Sequence, residues 1–404
     1  MQKAAQLLKD NDRNKREDVY NKICDRRLQD ELVLDNLFDE LIDLRQKVAK
    51  NSGFNNYRDY MFAAMGRFDY TPEDCFSFHD AITKEIVPII TSFEQKRKDK
   101  LEYTSYKPWD TSVDVDGLPP LKPFDDGTEL TNLSIECFSR LRPYFGECLA
   151  TMKAMKHLDL ESKDGKAPGG FMYPLYEIGV PFIYMNAVGS QRDLVTMVHE
   201  GGHAVHSFLC RDLEMTEFKS TPSEVAELAS MSMELLSMDH WNVFYNSEND
   251  LKRAKLEQLK KALEGLPWIA AIDKFQHWIY TNKHTAKERK EQWLKIDSEL
   301  GNQIIDWDGQ KNSQQNLWQK QLHLYEVPFY YIEYGMAQLG AIAMWRSYKE
   351  LGEKGIDNYM KALKLGYTKS ISEIYLEAGI KFDFSEKYVK ELADFIKSEL
   401  KKLN

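Results

Sequence analysis

The 404 residues are 43% hydrophobic and 29% charged, the composition of a soluble globular chain with material for one large core or two lobes. A net charge of −10 argues against nucleic acid or an anionic membrane as partner. No apolar run approaches the ~20 residues a membrane helix needs, and MQKAAQLLKDNDRNKRE lacks the apolar core of a signal peptide. The five cysteines (Cys24, Cys75, Cys137, Cys148, Cys210) are odd in number and without C-x-x-C spacing, which fits reduced thiols in a cytoplasm rather than a disulfide framework.

Residues 1 to about 99 read as helices. Leu28, Leu32, Leu34, Leu37, Leu41, Leu44 and Val48 recur at helical spacing, and Gly53 offers a stop. Thr71-Pro72-Glu73-Asp74 is a start signal, with a capping Thr, Pro at the first helical position and an acid three residues after the cap. The helix that follows should bend or break near Pro88. From Leu101 to Leu130 the chain reads as a long irregular connection, since four of the 13 prolines fall between Pro108 and Pro123; Tyr103, Tyr106 and Trp109 would pack it down. This connection marks the expected boundary between a helical lobe, residues 1–125, and a second continuous region, residues 126–404.

Helical pattern returns from Asn132 to Leu158 and gives way at DGKAPGG, residues 164–170. Phe171 to Tyr176 and Pro181 to Val188, flanking Glu177-Ile178-Gly179-Val180, read as a hairpin. Beyond it, Pro222 to Asp239, Asn249 to Glu264, Pro267 to Asn282, Ala286 to Leu300 and Gln314 to Leu351 read as helix, and Ile356 to Leu403 adds three short ones. The fold class is mostly α with a minor β element.

The hairpin leads into SQRDLVTMVHEGGHAVHSFLC, residues 190–210, which carries His199-Glu200-Gly201-Gly202-His203, an H-E-x-x-H pattern with helical periodicity. Residues four apart on a helix lie one turn above each other, so both imidazoles can share one metal ion. Glu200 is then close enough to reach a water beside that ion. Zinc takes imidazole nitrogen and carboxylate oxygen in a tetrahedral shell. Ser190 and Asp193 form a capping box at the helix start, and Val198, Val205 and Leu209 form an apolar ridge away from the ligands. Two histidines on a merely well-packed helix would leave Gly201-Gly202 unexplained, because each glycine costs a helix interior about 1 kcal/mol relative to Ala. Glycines there fit another backbone, a strand or a bound peptide, passing close by.

A protein zinc site needs a third ligand. The H-x-x-G-x-x-H extension is excluded, because positions 206 and 209 hold His206 and Leu209. Glutamates on the next helix, STPSEVAELASMSMELLS, offer three candidates. Thr221 reads as cap and Pro222 as first helical position, so Glu224 closes a capping box. Glu227 and Glu234 lie two turns apart on one face of an otherwise apolar helix, where carboxylates need partners. Glu227 is assigned as ligand and Glu234 as acceptor for a ligand imidazole, with an ordinary buried ion pair as the alternative for Glu234. His206 is either a support for the ligands or a satisfied core histidine. In His323-Leu324-Tyr325-Glu326-Val327-Pro328-Phe329-Tyr330-Tyr331-Ile332-Glu333-Tyr334-Gly335, Tyr331 and Tyr334 stand one helical turn apart; on the residues alone, core packing accounts for them.

VHEGGHAVH at 198–206, ELAS at 227–230 with Glu234 beyond it, GGF followed by PFIYMN, and HLYEVPFYYIEYG stand in an order that resembles the oligoendopeptidase F and thimet oligopeptidase family of zinc metallopeptidases. The likeness runs from roughly residue 12 to the end and is nearest the oligoendopeptidase F branch. It implies a mostly helical, two-lobed zincin-type fold with a small sheet beside the H-E-x-x-H helix and a deep central channel that admits short peptides. It implies one Zn2+ held by His199, His203 and Glu227, with Glu200 as general base. His323, Tyr331 and Tyr334 would contact substrate and stabilise the oxyanion. The family normally carries a further N-terminal helical portion that forms one channel wall, and the glycine-rich loop of the thimet branch is absent around residues 323–335. Those departures leave two alternatives beside a working endopeptidase: an inactive peptide-binding remnant, or a chain whose wall a second polypeptide completes.

Overall fold

The computed structural model describes residues 6–167 and 169–403; Pro168, inside DGKAPGG, lies outside them. The chain forms two compact units. One is Met1–Pro119 with Leu263–Ile332 and Phe384–Lys390; the other is Pro120–Ala262 with Glu333–Asp383 and Glu391–Asn404. Among the described residues no helix is long and apolar enough to cross a membrane.

In the first unit, Asp12 caps helix Arg13–Leu28 by accepting from the amides of Asn14 and Lys15. Helix Glu31–Asn51 follows and stops before Gly53, whose φ of +83° is the left-handed conformation that ends helices. Leu32, Leu37, Leu44 and Val48 on this helix are exposed, and the face it buries carries Asp35, Phe38, Arg45 and Ala49. Phe38 packs on Trp318 with ring centroids 5.0 Å apart, while Lys290 pairs with Asp35 at 2.7 Å. The leucine spacing located the helix but not its buried face, because that face contains charges that the fold pairs.

The start signal at Thr71 is a complete capping box on helix Pro72–Ala81. A π-helical stretch, Ile82–Ile86, joins it to helix Val87–Lys100. The widened turn absorbs Pro88, which has no amide to donate back into the helix. The irregular connection is pinned rather than loose. The fully buried Arg16 pairs with Asp110 at 2.8 Å and donates to the Trp109 carbonyl at 3.0 Å, and Arg97 donates to the Val113 carbonyl at 2.6 Å. Tyr106 and Trp109 are buried beneath it, whereas Tyr103 is half-buried.

Three predicted helices differ. The pair Asn249–Glu264 and Pro267–Asn282 is one continuous helix, Glu248–Thr281, with Pro267 inside it. Burial of Leu266, Ala270 and Ile272 around the proline outweighs the lost hydrogen bond. The predicted helix Gln314–Leu351 is instead three short turns, Lys311–Gln315, Leu317–Lys320 and His323–Glu326, before helix Ile332–Leu351 begins. The break falls at Pro328-Phe329. Phe329 has φ of +68°, a conformation that costs a bulky residue on the order of 1–3 kcal/mol. Its amide donates to Gln276 Oε1 at 2.6 Å and its carbonyl accepts from Arg67.

The second unit holds helices Gly127–Leu141 and Pro143–Ala154, then a three-stranded sheet. Its strands are β1 (Leu158–Glu161), β2 (Gly170–Tyr173) and β3 (Phe182–Ala187), in the order β1-β3-β2. β2 and β3 are the predicted hairpin, antiparallel with Met172 opposite Ile183, turning through Gly179 at φ +67°. β1 pairs parallel to β3 with Leu158 opposite Ile183. Four residues are too few for periodicity to separate this strand from the helix before it. The sheet leads into helix Gln191–Cys210, and helix Ser223–Leu236 packs against that. Helices Glu353–Lys364, Ile371–Glu377 and Glu386–Leu403 form the tail.

Candidate metal centre

The H-E-x-x-H residues sit in the middle of helix Gln191–Cys210. Ser190 opens the helix with a capping box: Asp193 Oδ2 accepts from the Ser190 amide at 2.9 Å and from the Val188 amide at 3.0 Å, tying the helix start to the end of β3. Val198, Val205 and Leu209 are buried, as the ridge requires. The first residue of β2 lies against the same helix, since a Cβ on Gly170 would stand 2.7 Å from Thr196 Cγ2.

The glycine pair has two different neighbours. A Cβ on Gly201 would enter the Phe138 ring at 2.7 Å. One on Gly202 would meet Ser230 Cα at 2.7 Å and the Ala229 carbonyl at 2.8 Å. The close backbone is therefore a helix, Ser223–Leu236, and not a strand or a peptide. That helix is itself fixed from outside, with Tyr359 Oη donating to the Ala229 carbonyl at 2.7 Å and Tyr375 Oη to the Glu224 carbonyl at 2.9 Å.

This approach brings Glu227 to the histidines. Glu227 Oε2 lies 3.3 Å from His199 Nε2 and 3.8 Å from His203 Nε2, and one donor atom from each residue falls within 4.8 Å of the other two. Ser230 Oγ donates to Glu227 Oε2 at 2.9 Å. Glu234, two turns on, meets the other nitrogen of His199 at 2.7 Å through Oε1, and its Oε2 accepts from Gln258 at 2.7 Å. A carboxylate on Nδ1 fixes the imidazole so that Nε2 faces Glu227. Two imidazole nitrogens and one carboxylate oxygen converging in this way are the donor set of a zinc site with an open position.

The electrostatics agree with that donor set. Burial pulls the His203 imidazole down to about 4, so its lone pair is free. Burial acts the same way on His199, but Glu227 and Glu234 outweigh it and hold a proton there in the absence of a cation. Glu200 is buried beside them. Burial pushes its carboxyl up to about 7, against the pull of His199 and with the help of Glu227, while the Met172 amide of β2 hydrogen-bonds to it.

The remaining candidates are placed as follows. Thr221 does not cap its helix; Pro222, extended at φ −56° and ψ 152°, stands in the capping position without a side-chain acceptor, and Glu224 is buried rather than capping. His206 is buried and lines a recess with Met172, Pro174, Tyr176, His203 and Ser207. Burial brings it down to about 3, so it is neutral. His323 and Tyr331 belong to the first unit, with ring centroids 4.8 Å apart, and His323 Nδ1 pairs with Gln321 Nε2 at 2.6 Å. Tyr334 belongs to the second unit, in the first turn of helix Ile332–Leu351, and Tyr331 immediately precedes that helix. Gln258 and Ser230 were not expected at the site. A glutamine in a lysine-rich helix gives no signal until Glu234 is seen to need a donor.

The comparisons with known proteins follow this geometry. The profile of Peptidase family M3 matches residues 6–394. The oligoendopeptidase F homolog of Lactococcus lactis subsp. lactis (strain IL1403) is 22% identical over 342 residues, which are 83% of this chain and 56% of that protein. The plasmid oligoendopeptidase F of Lactococcus lactis subsp. cremoris is 22% identical over 360 residues, 87% of this chain and 58% of that protein. This chain thus spans a little over half the length of these relatives. Among solved structures, Pz peptidase A with an inhibitor superposes with a TM-score of 0.90 at 27% identity, covering 99% of this chain and 71% of that one. With the family profile matched along nearly its whole length and the same mostly helical fold, the chain belongs to Peptidase family M3.

Proposed function

We propose that this chain is a zinc-dependent endopeptidase that hydrolyses internal bonds of short peptides, with one zinc ion held by His199, His203 and Glu227. The observation that carries the reading is Glu200, a buried carboxyl beside three convergent metal donors. A bound zinc would supply Lewis acidity to the scissile carbonyl and lower the pKa of the attacking water toward ~7. Glu200 takes the proton from that water and returns it to the leaving amine, and a carboxyl raised to about 7 is matched to both halves of the task near neutral pH. Glu234 holds His199 in the tautomer that presents Nε2. On family resemblance, Tyr334, Tyr331 and His323 contact the substrate and donate to the oxyanion. Five buried, unpaired cysteines support a cytoplasmic setting.

Glu200→Gln tests the reading on a quenched fluorescent peptide. The variant is expected to keep zinc at wild-type affinity and lose nearly all hydrolysis, because a carboxamide cannot accept the proton. Substantial residual turnover would overturn the general-base assignment. Wild-type protein that binds zinc here and cleaves nothing would favour a peptide-binding role.

A further inference from the structure

A second cluster of metal-ligating side chains lies in the first unit. Helix Pro72–Ala81 contributes Cys75 and His79, and helix Glu248–Thr281 contributes Asp273 and His277. Each pair is spaced i, i+4, the same spacing that puts His199 and His203 on one helical face. All four are buried, at 0%, 1%, 0% and 4% exposure. One donor atom each from Cys75, Asp273 and His277 lies within 4.8 Å of the other two. His79 Nε2 hydrogen-bonds to Asp273 Oδ2 at 2.8 Å.

What separates this cluster from an ordinary polar core is how little of it is satisfied. His277 Nε2 pairs with Asp273 Oδ2 at 3.2 Å, but His277 Nδ1 and Asp273 Oδ1 have no hydrogen-bond partner. The rings of Phe62, Phe76 and Phe329 lie around the His277 ring with centroids 6.0, 4.9 and 5.5 Å away, so its surroundings are largely apolar. A buried carboxylate oxygen and a buried imidazole nitrogen left unpaired are costly among apolar side chains. A cation at their focus removes the cost.

We propose that Cys75, Asp273 and His277 form a second, structural site for a divalent ion of the zinc class. Asp273 supplies both oxygens, which with Cys75 Sγ and one His277 nitrogen makes four donor atoms. His79 is a positioning residue that holds the carboxylate in place. On binding, the Cys75 thiol releases its proton to solvent, and the thiolate and carboxylate together neutralise the ion. The thiolate selects a borderline-soft ion over magnesium or calcium. Four protein donors and no open position make the site structural, joining two helices distant in sequence.

The test uses the full chain with the other metal site removed. His199→Ala/His203→Ala protein, with folding checked by circular dichroism, is purified from zinc-supplemented medium, dialysed and analysed for metal. About one zinc per chain is expected, falling to less than a tenth when Cys75→Ser is added. The cobalt-substituted form of the same double variant should show a thiolate-to-metal charge-transfer band in the near ultraviolet, so the assignment stands on a spectrum even where Cys75→Ser folds poorly. Folded double variant without metal, or with metal but no thiolate band, overturns the proposal and returns the cluster to a hydrogen-bonded core. Because the double variant lacks His199 and His203, none of these results depends on the peptidase reading.

Discussion

Gly202 and Ser230 mark a close approach of the two helices that carry the candidate metal donors: a Cβ on Gly202 would stand 2.7 Å from the Ser230 Cα. Helix propensity alone makes Gly202→Ala a stabilising change of about 1 kcal/mol. The contact reverses the sign, because the atoms in the way are backbone and cannot rotate aside. Overpacking of this kind costs typically ~1–3 kcal/mol and displaces Glu227 from the histidines. A lower Tm together with weaker zinc binding is expected. Gly201→Ala should do less, since its obstacle is the Phe138 ring, a side chain that can shift. A Gly202→Ala protein more stable than wild type would refute the close approach.

If His199 holds zinc as proposed, Glu234 should govern the affinity through that imidazole without touching the ion. Glu234→Gln should weaken zinc binding by roughly 10–100-fold, as loss of such outer partners does elsewhere, with His199, His203 and Glu227 intact. Gln258→Ala, which removes the donor to the far oxygen of Glu234, should have a smaller effect in the same direction. Competition against a chelator of known affinity measures both. Unchanged affinity in Glu234→Gln would make its 2.7 Å contact with His199 incidental.

The tyrosines divide transition-state stabilisation from packing. A donor aimed at the oxyanion strengthens as charge develops, so its removal lowers kcat more than it raises KM. Tyr334→Phe is expected to reduce turnover tenfold or more, equivalent to ~1.4 kcal/mol, and Tyr331→Phe is the comparison. Steady-state kinetics on a short peptide decide it; wild-type turnover in both returns these residues to packing.

Asp110→Ala should be among the most damaging substitutions outside the metal centre. It leaves the guanidinium of Arg16, fully buried, without its 2.8 Å partner. Breaking a buried pair in this way costs ~3–5 kcal/mol. Urea unfolding should register the loss. A change below about 1 kcal/mol would show that the irregular connection is held without the Arg16–Asp110 pair.

How far the sequence could be read depended on where the information lay. The H-E-x-x-H helix, its Ser190 cap, the Thr71 capping box and the β2–β3 hairpin are encoded within a few neighbouring residues, and all appear where expected. The pairing of Glu227 and Glu234 was legible because two acids on an apolar helix need partners. What escaped was non-local. Pro267 continues a helix because packing outweighs a local breaker, and Pro328-Phe329 interrupts one because Gln276 and Arg67 hold a strained backbone. Glycine spacing announced a close contact, but only three dimensions say that the neighbour is a helix. The Cys75, His79, Asp273 and His277 cluster joins residues nearly two hundred positions apart, with no motif to connect them.

The discontinuity of the first unit bears on how the chain is made. Its opening stretch, Met1–Pro119, is complete only when Leu263–Ile332 and then Phe384–Lys390 arrive, the last anchored by Lys84–Glu386 at 2.6 Å and Glu85–Lys390 at 3.2 Å. On a ribosome adding about 5–20 residues per second, those opening helices wait on the order of tens of seconds for their remaining partners. The intervening Pro120–Ala262, which carries the H-E-x-x-H helix, emerges meanwhile. Nascent chains therefore pass through a stage in which the helices before Pro119 lack the partners that bury their apolar side chains, and no fragment cut between the two units retains either one whole.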